Sequence, residues 1–162
     1  MKSYSILKTT AGNLILVANE SALIGIYFEG FDHIPADRKK WTLDPSHPIL
    51  QKAGKQLTEY FQGKRSEFSI PLGLKGTPFQ ERVWKQIARI PFGKTLSYSE
   101  LARKAGSPNA IRAAGTNTGK NPLAIVIPCH RVLTKNGSIG GFAGGLKWKR
   151  HLLGIEKIQL AK

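Results

Sequence analysis

The chain opens with three short aliphatic and aromatic runs, YSILKT, NLILVAN and ALIGIYFEG, separated by TAG and NES. Runs of this length between turn-forming residues predict a small antiparallel sheet. The polar stretch DHIPADRKKWTLDPSH that follows has no period and reads as a loop. From Pro48 to Gln62 the pattern becomes helical: Ile49, Leu50, Ala53, Leu57, Tyr60 and Phe61 share a stripe that Gly63 ends. SIPLGLKG reads as a connector, which places one lobe over residues 1–75 and a second over 76–162.

The second lobe is expected to be mainly helical. TPFQERVWKQIARIPFG offers Thr77 as N-cap, Pro78 at the first helical position and Gln80 to close a capping box. Phe79, Val83, Trp84 and Ile87 form its buried face, and Pro91 stops it. SYSELARKAG repeats the grammar with Ser97, Glu100 and Gly106. SPNAIRAAGTNTG predicts a third helix starting with Ser107 and Pro108, and the last two helices, joined through AGS, predict a helix-turn-helix unit. Its second helix groups Asn109, Ala110, Ala113 and Ala114 around one long cation, Arg112. Small side chains of this kind let a helix backbone approach a nucleic-acid groove.

Beyond a turn at Asn121 and Pro122, LAIVI predicts a buried strand or extended segment with Cys129 delivered at its end. HRVLT and SIGGF flank a turn at Lys135, Asn136 and Gly137. GLKWKRHLLGIEK predicts a final helix with Leu146, Leu152 and Leu153 inward and Glu156 near its end. The fold class is therefore α/β (α+β), a sheet-bearing lobe followed by a mainly helical one.

At 162 residues, 41% hydrophobic and 22% charged, the composition is that of an ordered globular chain. No run approaches the roughly 18 apolar residues that span a bilayer, and the first residues lack a cleavable leader pattern. A cytoplasmic, intracellular, non-secreted location is expected, with no membrane contact, and it suits a free thiol. Charge changes the picture more. Residues 1–74 hold 9 basic and 7 acidic residues, whereas residues 75–162 hold 16 and 3. A strongly basic second lobe points to a polyanionic partner.

The chemistry converges on IPCHRV, where the only cysteine, Cys129, precedes His130 and Arg131. A single cysteine forms no internal disulfide and no thiolate metal cage. A free thiol has a pKa near 8.5, so only a few per cent is thiolate at neutral pH. An adjacent imidazole polarised by a carboxylate can take its proton, and this lobe has only three acids, Glu81, Glu100 and Glu156. An inert buried cysteine beside a surface histidine is the bland alternative.

NPLAIVIPCHRV resembles the active-site signature of the O6-alkylguanine-DNA alkyltransferases, the methylated-DNA–protein-cysteine methyltransferases. TPFQERVWKQIARIPFGKTLSYSELA, AIRAAG and GGLKWKRHLLGIE also match that family in order, over residues 77–157. The resemblance implies a ribonuclease-H-like first lobe and a winged-helix-like second one. It implies direct reversal of damage in double-stranded DNA, an alkyl group passing irreversibly from O6-alkylguanine, or O4-methylthymine, to Cys129. His130 would be the base acting through a water, Glu156 its orienting carboxylate, and Tyr98 the group that protonates the leaving base. Arg112 would fill the gap left by a base flipped out through the minor groove. Ser97, Asn109, Ala110, Ala113 and Ala114 would join it on the DNA face. Asn121, Pro128, Arg131, Val132, Phe142 and Ala143 would line the pocket. No cofactor and no metal are implied, and a monomer is expected. Some relatives have a Tyr-Ser pair where this chain has Phe142 and Ala143, and some bind zinc through first-lobe cysteines that this chain lacks. Two rival classes fit parts of the pattern. A cysteine hydrolase or acyltransferase using Cys129, His130 and Glu156 leaves the basic charge unexplained. A helix-turn-helix protein that binds lesions without repairing them leaves the cysteine unexplained.

Overall fold

In the computed structural model, which describes residues 1–161, strands β1 (Ser3–Thr9), β2 (Gly12–Ala18) and β3 (Leu23–Phe28) form the antiparallel sheet expected from the three runs. The loop beyond them adds a short fourth strand, β4 (Thr42–Leu43), parallel to the start of β1, so the order is β3-β2-β1-β4. Central β2 has no polar face. Leu14, Ile15, Leu16, Val17 and Ala18 are all buried, because the sheet is covered on both sides. Ile15 and Val17 pack with Trp41, against which Tyr4, Ile24, Tyr27 and Ile34 also lie. Leu16, on the other face, meets Gly54 of helix α1 (Pro48–Phe61). Helix α1 buries Leu50, Ala53, Leu57 and Tyr60 there; each large side chain removed from water contributes about 1.5–3 kcal/mol.

The chain divides into two compact units, Met1–Leu74 and Lys75–Lys162. In the second, α2 (Pro78–Ala88) carries the full capping box of Thr77 and Gln80 and buries Val83, Trp84 and Ile87. Strand β5 (Leu96–Ser97) leads directly into α3 (Tyr98–Lys104), which has its own capping box from Ser97 and Glu100. Gly106, at φ +83°, provides the left-handed turn after α3. Helix α4 then runs over Ile111–Gly119, not from Ser107. Ser107–Ala110 is instead a turn, closed by Ala110 N–H donating to the Ser107 carbonyl, with Pro108 setting its second position.

Two further expectations are corrected. LAIVI is not a strand: Ile127 N–H donates to the Leu123 carbonyl and Val126 N–H to that of Ala124, folding the run into a buried turn. A continuous apolar run does not by itself tell a buried strand from a buried turn. Leu146, the first residue of α5 (Leu146–Ile155), is 45% exposed, and Trp148 and Lys149 are buried with Leu152 and Leu153 instead. Short β6 (Val132–Leu133) pairs in parallel with β5. Among the described residues no helix is long and apolar enough to cross a membrane.

Candidate active site

The turn after α4 aims the cysteine. Asn121 spans it, accepting from Leu123 N–H at 3.0 Å and donating to the Ile127 carbonyl at 2.7 Å. Within this turn Ile125 takes φ +75°, a left-handed conformation that a β-branched residue adopts at a cost of about 1–3 kcal/mol. Pro128 follows at φ −79°, ψ 68°, and Cys129 N–H donates back to the Ile127 carbonyl at 2.7 Å. That is an inverse γ-turn whose φ the proline ring presets. Cys129 then begins a single 3-10 turn, Cys129–Arg131. Burial pushes its thiol pKa up, while a hydrogen bond with Asn121 and the charge of Lys149 pull the other way.

Three residues per 3-10 turn send Cys129, His130 and Arg131 in three directions. His130 is fully buried, with Nε2 2.6 Å from Glu156 Oε2. Burial alone would raise the Glu156 carboxyl, but bonds from His130 and Arg131, the His130 charge and Gly93 N–H bring it down to about 2. Glu156 is therefore a carboxylate, and His130 Nε2–H donates to it. That tautomer makes Nδ1 the basic nitrogen of the ring. Burial also lowers the His130 pKa, against the raising effect of Glu156, so the imidazole is neutral at neutral pH.

The Arg131 side chain is committed to Glu156. It is buried, its Nε 2.8 Å and Nη2 3.1 Å from the two Glu156 oxygens, and its Nη1 donates to the Ile90 carbonyl at 2.6 Å. Its side chain thus supports Glu156. Gly93 N–H completes that support at 2.9 Å.

Lys149 was not anticipated. It lies fully buried on α5 and donates to the Val132 carbonyl at 2.8 Å and the Gly141 carbonyl at 3.1 Å. Burial lowers its pKa to about 8, with the Cys129 charge acting to raise it. The sequence held a signal, since position 149 lies three residues from both Leu146 and Leu152 and so falls on the stripe read as buried. Tyr98, the first residue of α3, packs on Gly140 and Gly115. Burial and then the Cys129 charge raise its phenol pKa, keeping the hydroxyl protonated. Phe142 and Ala143 are half-buried in the loop before α5.

Along α4, Asn109, Ala110, Arg112, Ala113, Thr116, Asn117 and Lys120 line one open groove. Ala114 is not part of it: it is fully buried and accepts from Thr118 Oγ1, because the Ala114–Thr118 face packs inward. Ser97 is occupied locally, its hydroxyl accepting from Glu100 N–H at 3.1 Å. Among the described residues no cluster of His, Cys, Asp and Glu could hold a metal ion.

Residues 78–158 match the family described as 6-O-methylguanine DNA methyltransferase, DNA binding domain. Residues 2–74 match the 6-O-methylguanine DNA methyltransferase, ribonuclease-like domain. The chain is 41% identical to the constitutive methylated-DNA–protein-cysteine methyltransferase of Bacillus subtilis, over 98% of its length and 97% of the relative's. It is 39% identical to the methylated-DNA–protein-cysteine methyltransferase of Methanosarcina barkeri, over 97% and 98%. Among solved structures, that of Mycobacterium tuberculosis OGT in complex with DNA is 41% identical, with a TM-score of 0.90 over 96% of this chain and 93% of that one.

Proposed function

The chain belongs to the 6-O-methylguanine DNA methyltransferase family, and from that premise we propose that Cys129 accepts the alkyl group in direct reversal of DNA alkylation damage. The relatives' names make a protein cysteine the acceptor, and this chain has one cysteine. The observation that carries the reading is the buried His130–Glu156 pair at 2.6 Å, immediately after that cysteine.

The thiol proton passes to His130 Nδ1 through a bridging water. The thiolate attacks the alkyl carbon, the S–C bond forms and the C–O6 bond breaks. Its electron pair returns to the purine, which takes up one proton and leaves as guanine. Tyr98, held protonated, supplies that proton, and the proton on His130 returns through water to the phenolate, so both groups end as they began. Glu156 holds the imidazole in the accepting tautomer and stabilises the cation it becomes. Lys149 favours the thiolate over the thiol, opposing the burial that raises the Cys129 pKa.

The alkyl carbon cannot meet a buried sulfur while its base is stacked, so the nucleotide must leave the duplex. Helix α4 serves as the recognition element in the minor groove, with Arg112 filling the space vacated by the base. Its small neighbours Ala110 and Ala113 allow close approach. The product is a thioether, whose C–S bond is stable to thiols and to water, so each molecule acts once.

With excess O6-methylguanine duplex, repaired guanine should plateau at one equivalent, and mass spectrometry should find one added methyl on the peptide holding Cys129. Continued turnover, or methyl on another residue, refutes the proposal.

A further inference from the structure

Helix α4 is a poor helix by its own sequence. It spans nine residues, has no side-chain N-cap at Ala110, no acid in its first turn and no base in its last. Gly115, Thr116, Asn117, Thr118 and Gly119 fill its second half, all of low helix propensity. Isolated helices below about 12–15 residues are marginal in water even with good formers. An element of this kind takes its position from what it packs on.

The tie is Asn117. Its carbonyl accepts from Trp84 Nε1 at 2.8 Å, its Oδ1 from Gln80 Nε2 at 3.0 Å, and its Nδ2 donates to the Ala113 carbonyl at 2.9 Å. Gln80 joins two roles. Its Oε1 accepts from Thr77 N–H at 3.0 Å in the α2 capping box, while its amide nitrogen reaches α4. The backbone at Gly76 presses on the same pair, since a Cβ there would stand 2.6 Å from Trp84 Cζ3 and 2.8 Å from Gln80 Oε1. The firmly capped start of α2 is thus linked to the last turn of the weak helix.

We propose that Gln80 and Asn117 are positioning residues for DNA repair, holding α4 at the angle at which Arg112 enters the duplex. The inference rests on the reading of α4 as the recognition helix. Asn117 lines the groove on α4 and Gln80 does not, so the bond to Asn117 is Gln80's link to that groove. Gln80→Glu keeps an acceptor for Thr77 N–H and removes the donor to Asn117.

The test compares single-turnover repair of an O6-methylguanine duplex with transfer from the free base O6-methylguanine, which needs no recognition helix. For Gln80→Glu, loss of one partly buried hydrogen bond corresponds to a slowing of about 3- to 10-fold on duplex. Free-base transfer and the melting midpoint should stay close to wild type. Asn117→Ala should show the same split, and the double variant should be no slower than the slower single one. Equal slowing on both substrates, unchanged duplex repair, or fully additive losses in the double variant would overturn the proposal. Should Gln80→Glu unfold the protein, Gln80→Met, which also lacks the donor to Asn117, takes its place in the same comparison. Failure of the wild-type protein to repair the duplex would refute the reading of function instead.

Discussion

Lys149 Nζ donates to the Val132 carbonyl across 2.8 Å, placing a buried cation against the segment that carries the nucleophile. Its second bond, to the Gly141 carbonyl, ties in the loop before α5. Lys149→Met keeps most of the stem and deletes the charge. The Cys129 thiol then loses a group that lowers its pKa, and each unit of rise costs about tenfold in thiolate at neutral pH. Duplex repair at pH 7 should slow several-fold. Because Lys149 discharges as pH rises through about 8, its help is present below that pH and lost above it. A wild-type rate–pH profile should therefore bend near pH 8 and Lys149→Met should lack the bend; identical profiles would remove Lys149 from the electrostatics of the thiol.

Glu156 makes a stability prediction with a definite sign. Its carboxyl is lowered in the folded protein to about 2 from an ordinary 4.5, so between those values the unfolded chain binds more protons. The stabilisation is full above pH 4.5 and is lost as pH falls towards 2, on the order of 3 kcal/mol in all. Glu156→Gln should lower the melting point at pH 7, and its stability should fall less steeply than wild type between pH 5 and 3. Parallel acid denaturation curves would contradict the assignment. Repair by this variant should also slow by at least tenfold, since the imidazole loses the carboxylate that sets its tautomer.

How much of this was legible in the chain depended on how local each interaction is. The capping boxes of Thr77–Gln80 and Ser97–Glu100 lie within four residues and could be read directly, as could the three strands and the Leu50–Tyr60 stripe. Burial of β2 on both faces was not, because Trp41 comes from a stretch that looks like unpatterned loop. The bond from Arg131 to Glu156, twenty-five residues on, has no local pattern to announce it. Ala114 looked like one of several small residues on a DNA face, and only the packing of α4 distinguishes it from Ala113. Lys149 was hidden in a basic run, although its spacing from Leu152 placed it on the apolar side. The Gln80–Asn117 bond spans thirty-seven residues, and no local pattern announces it.

Gly140 sets a steric limit on Tyr98. It holds φ +67°, and a Cβ there would stand 3.1 Å from Tyr98 Oη and 3.3 Å from its Cε2. Gly140→Ala combines a left-handed backbone strain of about 1 kcal/mol with displacement of the phenol. Transfer should slow at least several-fold on duplex and on free base alike, because the proposed proton donation by Tyr98 serves both. A normal free-base rate would mean that Tyr98 is not the proton donor.

Arg112 is the one long cation among the small residues at the start of α4, and it is exposed. Extruding a paired base costs a few kilocalories per mole, and a side chain that occupies the gap offsets part of that cost. Arg112→Ala should therefore slow repair of an O6-methylguanine duplex by at least tenfold while leaving transfer from the free base near wild type. Removing one cation also trims binding, but a phosphate contact alone reduces the log–log salt slope by about 0.9 and weakens all duplexes equally. A flipping role predicts more than that: placing the lesion opposite an abasic site, where no partner base resists extrusion, should restore much of the lost rate. If the abasic duplex is repaired as slowly as the paired one, Arg112 holds phosphate rather than the gap. If free-base transfer falls in parallel with duplex repair, Arg112 supports the pocket instead.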